Sequence, residues 1–228
     1  MLKITLINPP LNTRYPQPPV GLALIAAILE RAGYPVILVD ANALGLSPEE
    51  VANRASTADV VGLTAMTPSI GTALEITRLV RQTNPHIKMI LGGAHPTLLP
   101  DDTLAASPAT DIIVRGEGEE TVIELLRALE NNLPLENISG ISYRRNDTVS
   151  HNPARNSMVD MDSLPFPAHH LLPWQKYRPH PPHGRAMPFG AIVTSRGCPY
   201  HCGYCSKPVF GSRFRAQSAE RVVAEMVH

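Results

Sequence analysis

The chain has three cysteines in 228 residues, and all three fall within the span Cys198–Cys205. The segment reads Ser195-Arg196-Gly197-Cys198-Pro199-Tyr200-His201-Cys202-Gly203-Tyr204-Cys205, a C-x3-C-x2-C spacing that puts three thiolates on one short loop. Three thiolates can ligate three irons of a [4Fe–4S] cubane and leave the fourth iron open to bind a substrate and pass it an electron. A closed four-cysteine site would only shuttle electrons. Zinc is the competing reading. Structural zinc takes four ligands, usually from paired halves. Here only His201 offers itself as the fourth, and from inside the loop, beside Cys202, it reaches the same metal awkwardly. An odd, clustered set of cysteines does not fit a disulfide framework.

The cysteine loop needs a strand before it and a helix after it. Gly190–Thr194 reads as that strand. Ser218 reads as the N-cap of a helix to Val227, with Val222, Val223 and Met226 apolar. Upstream, strand and helix alternate. Ile4–Ile7, Val36–Val39, Val60–Leu63, Ile87–Leu91 and Asp111–Val114 are short apolar strands. Between them, Leu22, Ile25, Ala26 and Leu29 recur at helical spacing, closed by Gly33. Ser47-Pro48 starts a helix with Glu49 and Glu50 in its first turn. Residues 70–81 and 117–130 form two more helices, the second with Val122, Leu125, Leu126 and Leu129 turned inward. Five such strands separated by helices predict an α/β fold with a doubly wound, flavodoxin- or Rossmann-like parallel sheet covered on both faces.

The character changes near residue 135. Ile138–Tyr143 and Thr148–His151 flank Arg144-Arg145-Asn146-Asp147, a hairpin with a polar turn. Eight of the 23 prolines then lie between Pro153 and Pro188. That stretch is excluded from long helices and central strands, and its histidines read as solvent-exposed linker polarity. The division is therefore 1–135 for the α/β domain, 136–187 for hairpin and linker, and 188–228 for the cysteine unit.

The cysteine motif, following a strand and Ser-Arg-Gly, resembles that of the radical S-adenosylmethionine superfamily. The resemblance implies that Cys198, Cys202 and Cys205 hold the cluster and that S-adenosylmethionine chelates the open iron. It implies reductive cleavage to a 5′-deoxyadenosyl radical, and it places Tyr204 near the adenine. Further phrases extend the likeness: Asn8-Pro9-Pro10, Pro18-Pro19-Val20-Gly21-Leu22-Ala23, Thr64-Ala65-Met66-Thr67-Pro68, Gly92-Gly93-Ala94-His95-Pro96-Thr97, Arg115-Gly116-Glu117-Gly118-Glu119 and Asp162-Ser163-Leu164-Pro165-Phe166-Pro167-Ala168. In this order they are similar to the cobalamin-binding subfamily, which includes class B methylases and the anaerobic magnesium-protoporphyrin monomethyl ester cyclase. The implied fold is a cobalamin-binding domain, a Pro-rich linker and the first βα unit of a TIM-like barrel. The implied chemistry is methyl transfer or cyclisation on a small-molecule substrate, with electrons from a flavodoxin- or ferredoxin-type donor.

Open α/β sheets bind ligands beyond the carboxyl ends of their strands. Asn8, Thr64, Met66, Thr67, Gly92, Gly93, His95, Gly116 and Glu117 fall at such ends and are the candidate cobalamin contacts. Gly33 and Gly62 read as tight turns, and Glu119 as a carboxylate suited to a helix N-terminus. The D-x-H-x-x-G motif, whose histidine ligates cobalt in methionine synthase and related mutases, does not occur. His95 reads as a pocket or phosphate-type contact, not a cobalt ligand, so the domain either binds cobalamin without a protein histidine, as the resemblance implies, or is a scaffold that has lost the cofactor.

Twenty basic and 20 acidic side chains balance, so no basic excess points to nucleic acid. No run approaches the roughly 18 apolar residues of a membrane span, and the short apolar start is not a signal peptide. The expected address is cytoplasmic. One βα unit cannot close a barrel or bury its own apolar face. The expectation is a piece of a protein roughly twice as long, catalytically incomplete, with residues 189–228 poorly protected.

Overall fold

Each of the five apolar runs forms a parallel strand: β1 (Ile4–Asn8), β2 (Val36–Asp40), β3 (Val60–Thr64), β4 (Lys88–Gly92) and β5 (Ile112–Val114). These come from a computed structural model that describes residues 1–145, 148–156, 159–180, 187, 189–207 and 209–228. The order across the five is β2-β1-β3-β4-β5, the flavodoxin-like order. The sheet does not stop there. A hairpin of β6 (Ile141–Arg145) and β7 (Thr148–His151) adds two antiparallel strands at the β5 edge, giving seven. The five-strand expectation is corrected by this hairpin. An uncovered β5 would expose a row of unpaired backbone groups, and β6 both satisfies them and buries Ile141 and Tyr143. Asn146 and Asp147 of the expected turn lie outside the described residues, as do Pro181–Ala186 and Pro188 of the linker.

The period of two along each strand sorts side chains to two faces. Ile4, Leu6, Val60, Ile90, Ile112 and Val114 face α1 (Val20–Arg31) and α7 (Glu119–Glu130), and a short α2 (Ala41–Leu44) follows β2. Ile7, Val61, Leu63, Met89, Leu91 and Ile113 face α3 (Pro48–Ala55) and α4 (Ile70–Thr83). α3 starts at a full capping box: Ser47 Oγ accepts from Glu50 N at 3.3 Å while Ser47 N donates to Glu50 Oε2 at 2.8 Å. Two short helices, α5 (Ala94–Leu98) and α6 (Pro100–Ala106), follow β4. α7 begins at Glu119, two residues later than the sequence suggests, with Gly118 at its N-cap.

The linker wraps α1. Ala168 N donates to Ala23 O at 2.9 Å, Leu172 and Tyr177 pack on Ala23, and Leu164 packs on Leu24 and Ile28. His170 is exposed, as expected of linker polarity, and pairs with Glu30 at 3.0 Å, whereas His169 is half-buried against Trp174 and departs from that expectation.

The cysteine unit is built differently from its expectation. Gly190–Thr194 is not a strand. Among the described residues its backbone link is to the residue that follows Arg215–Ala216, Gln217 N to Thr194 O at 2.9 Å, too little to fix an extended ladder. The strand is instead β8 (Ser195–Arg196), paired antiparallel with β9 (Arg215–Ala216). α8 (Ala219–Val227) follows, capped by Ser218 Oγ accepting from Arg221 N at 3.2 Å. Its polar side docks: Arg221 donates to Pro165 O at 2.9 Å and stacks over Phe166, and Glu225 is buried. Val223 and Met226 stay 59% and 69% exposed, so the apolar stripe remains uncovered.

Candidate functional site

A cavity of about 430 Å³ opens at the carboxyl ends of β1, β3, β4 and β5 and runs down between the sheet and helices α1 and α7. Its mouth lies at the β1/β3 switch point, where doubly wound sheets bind ligands. Of the residues proposed at strand ends, Asn8, Thr64, Met66, Gly92, Gly93, Gly116 and Glu117 line it. Thr67 and His95 do not. Thr67 Oγ1 and His95 Nδ1 are 3.1 Å apart and hold each other outside the lining.

The depth of the cavity traces to one residue. On the face that carries Leu6 and Ile90, the residue of β3 paired between them is Gly62. It contributes no side chain to the layer, and the lining there is Leu6, Val60, Ile90, Ile25 and Leu126. A Cβ at Gly62 would stand 2.9 Å from Leu6 Cδ2. Gly62 is thus a mid-strand residue that makes room, and its reading as a tight turn is corrected. The sign was present in the sequence: a glycine inside an apolar strand marks a close approach. Gly93 works at the mouth. Its φ of +97° and the carbonyl of Ala65, 2.7 Å from where a Cβ would stand, reserve the position for glycine.

The rim is fixed by buried polar groups. Asn8 Nδ2 donates to Asp40 Oδ1 at 2.8 Å, and Tyr177 of the linker donates its hydroxyl to Asp40 Oδ2 at 2.8 Å. Asp40 and Tyr177 are both fully buried. Burial, and then the neighbouring Asp40 carboxylate, push the Tyr177 phenol well above its ordinary range. Arg115 points away from the cavity, donating to Ile141 O and Asn152 O and so tying β5 to the hairpin. Desolvation lowers its pKa. Ser142 Oγ, His151 and Asp101 line up at 2.8 and 2.9 Å, but Ser142 is buried in the sheet, so this chain of contacts ties the hairpin to α6.

The cysteine unit forms part of the cavity wall. Arg196, Val209 and Phe210 line it from above. Arg196 donates to Glu117 Oε2 at 2.8 Å and to Glu119 Oε1 at 2.6 Å, with Phe210 beneath its guanidinium at 5.1 Å. Arg215 grips Glu117 as well, at 3.1 Å to Oε2 and in a second contact to Oε1. Two arginines and two glutamates therefore join β8 and β9 to the start of α7. The sequence reading missed this pairing and gave Glu119 to the helix terminus alone. Among the described residues Glu119 Oε2 is buried with no partner, and Glu119 lines the cavity.

Cys202 and Cys205 are exposed, Cys198 is half-buried, and all three are free thiols. Cys198 N donates to Gly211 O at 3.3 Å and Cys205 N to Cys202 O at 3.0 Å. Gly197, at φ +77°, lets the chain pass where a Cβ would collide with the Arg213 carbonyl. Tyr204 is 94% exposed beside Cys205. Among the described residues no three His, Cys, Asp or Glu side chains are gathered tightly enough to hold a metal ion. The thiols share a loop without converging. No helix is long and apolar enough to cross a membrane, among the described residues.

The site suits two groups by its chemistry. Apolar depth floored by a glycine, with a polar rim and an unpartnered buried carboxylate oxygen, fits a large ligand carrying an apolar arm and amide N–H donors, as a corrinoid does. Three thiols on one loop with no fourth cysteine fit a cubane with an open iron.

Comparisons with known proteins bear on the first of these groups. Residues 11–126 match the B12 binding domain family. An uncharacterized methyltransferase of Pyrococcus horikoshii is 35% identical over 99% of this chain and 50% of its own length. The anaerobic magnesium-protoporphyrin IX monomethyl ester cyclase of Rubrivivax gelatinosus is 35% identical over 92% of this chain and 38% of its own. The chain thus spans half or less of the length of these relatives. The cobalamin-dependent S-adenosylmethionine radical enzyme OxsB, solved with aqua-cobalamin and S-adenosylmethionine bound, superposes with a TM-score of 0.83 at 23% identity, covering 100% of this chain and 31% of OxsB. At that identity the likeness is one of fold.

Proposed function

Because this chain belongs to the B12-binding domain family, we propose that it holds cobalamin in the switch-point cavity and a [4Fe–4S] cluster on Cys198, Cys202 and Cys205, as part of a cobalamin-dependent radical S-adenosylmethionine enzyme. The cavity carries the proposal. It sits where an open α/β sheet binds ligands, and the cysteine unit forms one of its walls. Cluster and corrinoid supply, when bound, the reductive cleavage of S-adenosylmethionine and the carriage of a methyl group.

The chain's own residues bind, orient and exclude water. Asn8, Thr64, Met66, Gly92, Gly93, Gly116 and Glu117 ring the mouth, with Asn8 held by Asp40 and Tyr177. Thr67 and His95 are held to each other by a hydrogen bond outside the cavity lining. The apolar depth below excludes water and takes the ligand's apolar arm. Val209 and Phe210 cover the mouth from the cluster side. Tyr204 is free to stack on the adenine of S-adenosylmethionine. The reaction is methyl transfer, or cyclisation, on a small-molecule substrate, with electrons from a flavodoxin- or ferredoxin-type donor. The uncovered Val223 and Met226 of α8 suit a helix that packs against further barrel units.

Two anaerobic experiments test the proposal. Protein mixed with hydroxocobalamin and passed through gel filtration is expected to keep a corrin spectrum. Reconstitution with iron and sulfide, followed by reduction with dithionite, is expected to give an EPR-active cluster that is lost in Cys202→Ala. A stripped corrin spectrum would leave a radical enzyme on a cofactor-free scaffold. Zinc without sulfide would leave a binding module.

A further inference from the structure

The Arg196 cluster joins the two sites. Arg196 is the second residue of β8 and lies two residues before Cys198, so its position sets where the cysteine loop begins. Its side chain is 5% exposed, and the guanidinium is forked between Glu117 and Glu119 at 2.8 and 2.6 Å. Arg215 on the paired strand grips Glu117, so both strands at the base of the loop are fastened to the β5–α7 turn. Fork geometry of this kind fixes orientation as well as distance. Arg196 and Glu119 also line the cavity, and Glu119 has one oxygen on Arg196 and the other buried without a partner. A donor in the cavity that takes that second oxygen would press on the residue that holds the cysteine strand.

We propose that Glu117, Glu119, Arg196 and Arg215 are positioning residues that pin the cysteine loop over the cavity and couple the two sites, so that filling the cavity orders the loop. The coupling rests on the two-cofactor reading given above. By linkage, the loop's order must favour corrinoid binding by the same factor.

The test is hydrogen exchange on residues 197–217 of the whole chain, with and without hydroxocobalamin, in wild type, Arg196→Met and Arg196→Lys. In wild type the corrinoid is expected to slow exchange at Cys198 and Gln217 about tenfold, within the usual range of couplings between sites. In Arg196→Met exchange there is fast with or without corrinoid, the corrinoid binds more weakly by the same factor, and strands β1–β5 stay protected. Arg196→Lys keeps the charge without the fork and restores part of the response. A merely structural arginine would change protection without abolishing the corrinoid-dependent response. A response that survives in Arg196→Met, or a wild type that binds corrinoid with no change at 197–217, overturns the coupling. If wild type binds no corrinoid, the cofactor reading falls and the coupling with it. Exchange in Arg196→Met then judges the pin alone: faster exchange confined to 197–217 supports it, and unchanged exchange overturns it.

Discussion

Gly62 shows how much one missing side chain sets. Leu6 and Ile90 flank it in the sheet, and the cavity passes over it. Gly62→Val would put a branched side chain into that space. Hydroxocobalamin affinity is expected to fall at least tenfold, about 1.4 kcal/mol, with far-UV circular dichroism unchanged. A second prediction concerns the rim. Tyr177→Phe removes one partner of the fully buried Asp40 and should cost about 1–3 kcal/mol in urea melts. It also carries a pH signature. The folded-state pKa of Tyr177 lies above its ordinary 10.0, so its contribution is complete below about pH 10 and is lost as pH rises further. Wild type should therefore lose stability more steeply above pH 10 than Tyr177→Phe. The partnership of residues 40 and 177 was not legible in the sequence. The two are far apart along the chain, and a tyrosine in a Pro-rich stretch carries no periodic signal.

At the scale of elements, strands and caps were the legible part. The five parallel strands fall within a residue or two of their apolar runs, because a doubly covered strand must be apolar on both faces. Ser47-Pro48 with Glu50 is a local signature and forms the expected N-terminus. Ser47→Ala should cost about 1 kcal/mol of global stability, measured as a shift in urea midpoint without a change in slope. Two elements were not legible. The hairpin was seen as a hairpin but not as a sheet extension, since its pairing with β5 depends on the edge that β5 leaves. Gly190–Thr194 has β-type residues yet forms no strand, because a strand needs a neighbour to bond. β8 is two residues long and is held by β9 and two arginines rather than by propensity. Helix α8 was legible in its cap, but its buried side is polar and its apolar side faces solvent.

At the scale of the molecule, the α/β domain and the cysteine unit meet at one wall of one cavity, and the linker clasps α1 to hold the arrangement. Most of the cavity-lining residues at strand ends were legible because topology puts ligand sites there. The joint between the units was not, since it needs residues 117, 119, 196 and 215 together in space. The two proposed cofactor sites use different side chains, so Cys202→Ala should lose the cluster and still retain corrinoid in gel filtration. The central claim is that one chain carries both cofactors, with an iron left open for S-adenosylmethionine. The direct measurement is EPR of anaerobically reconstituted, dithionite-reduced protein that has first been loaded with hydroxocobalamin, before and after adding S-adenosylmethionine. The account predicts a reduced [4Fe–4S] signal and a cob(II)alamin signal in the same sample, with the cluster's g-values shifting on addition. A cluster signal that S-adenosylmethionine does not move, or a sample holding zinc and no corrinoid, would contradict it.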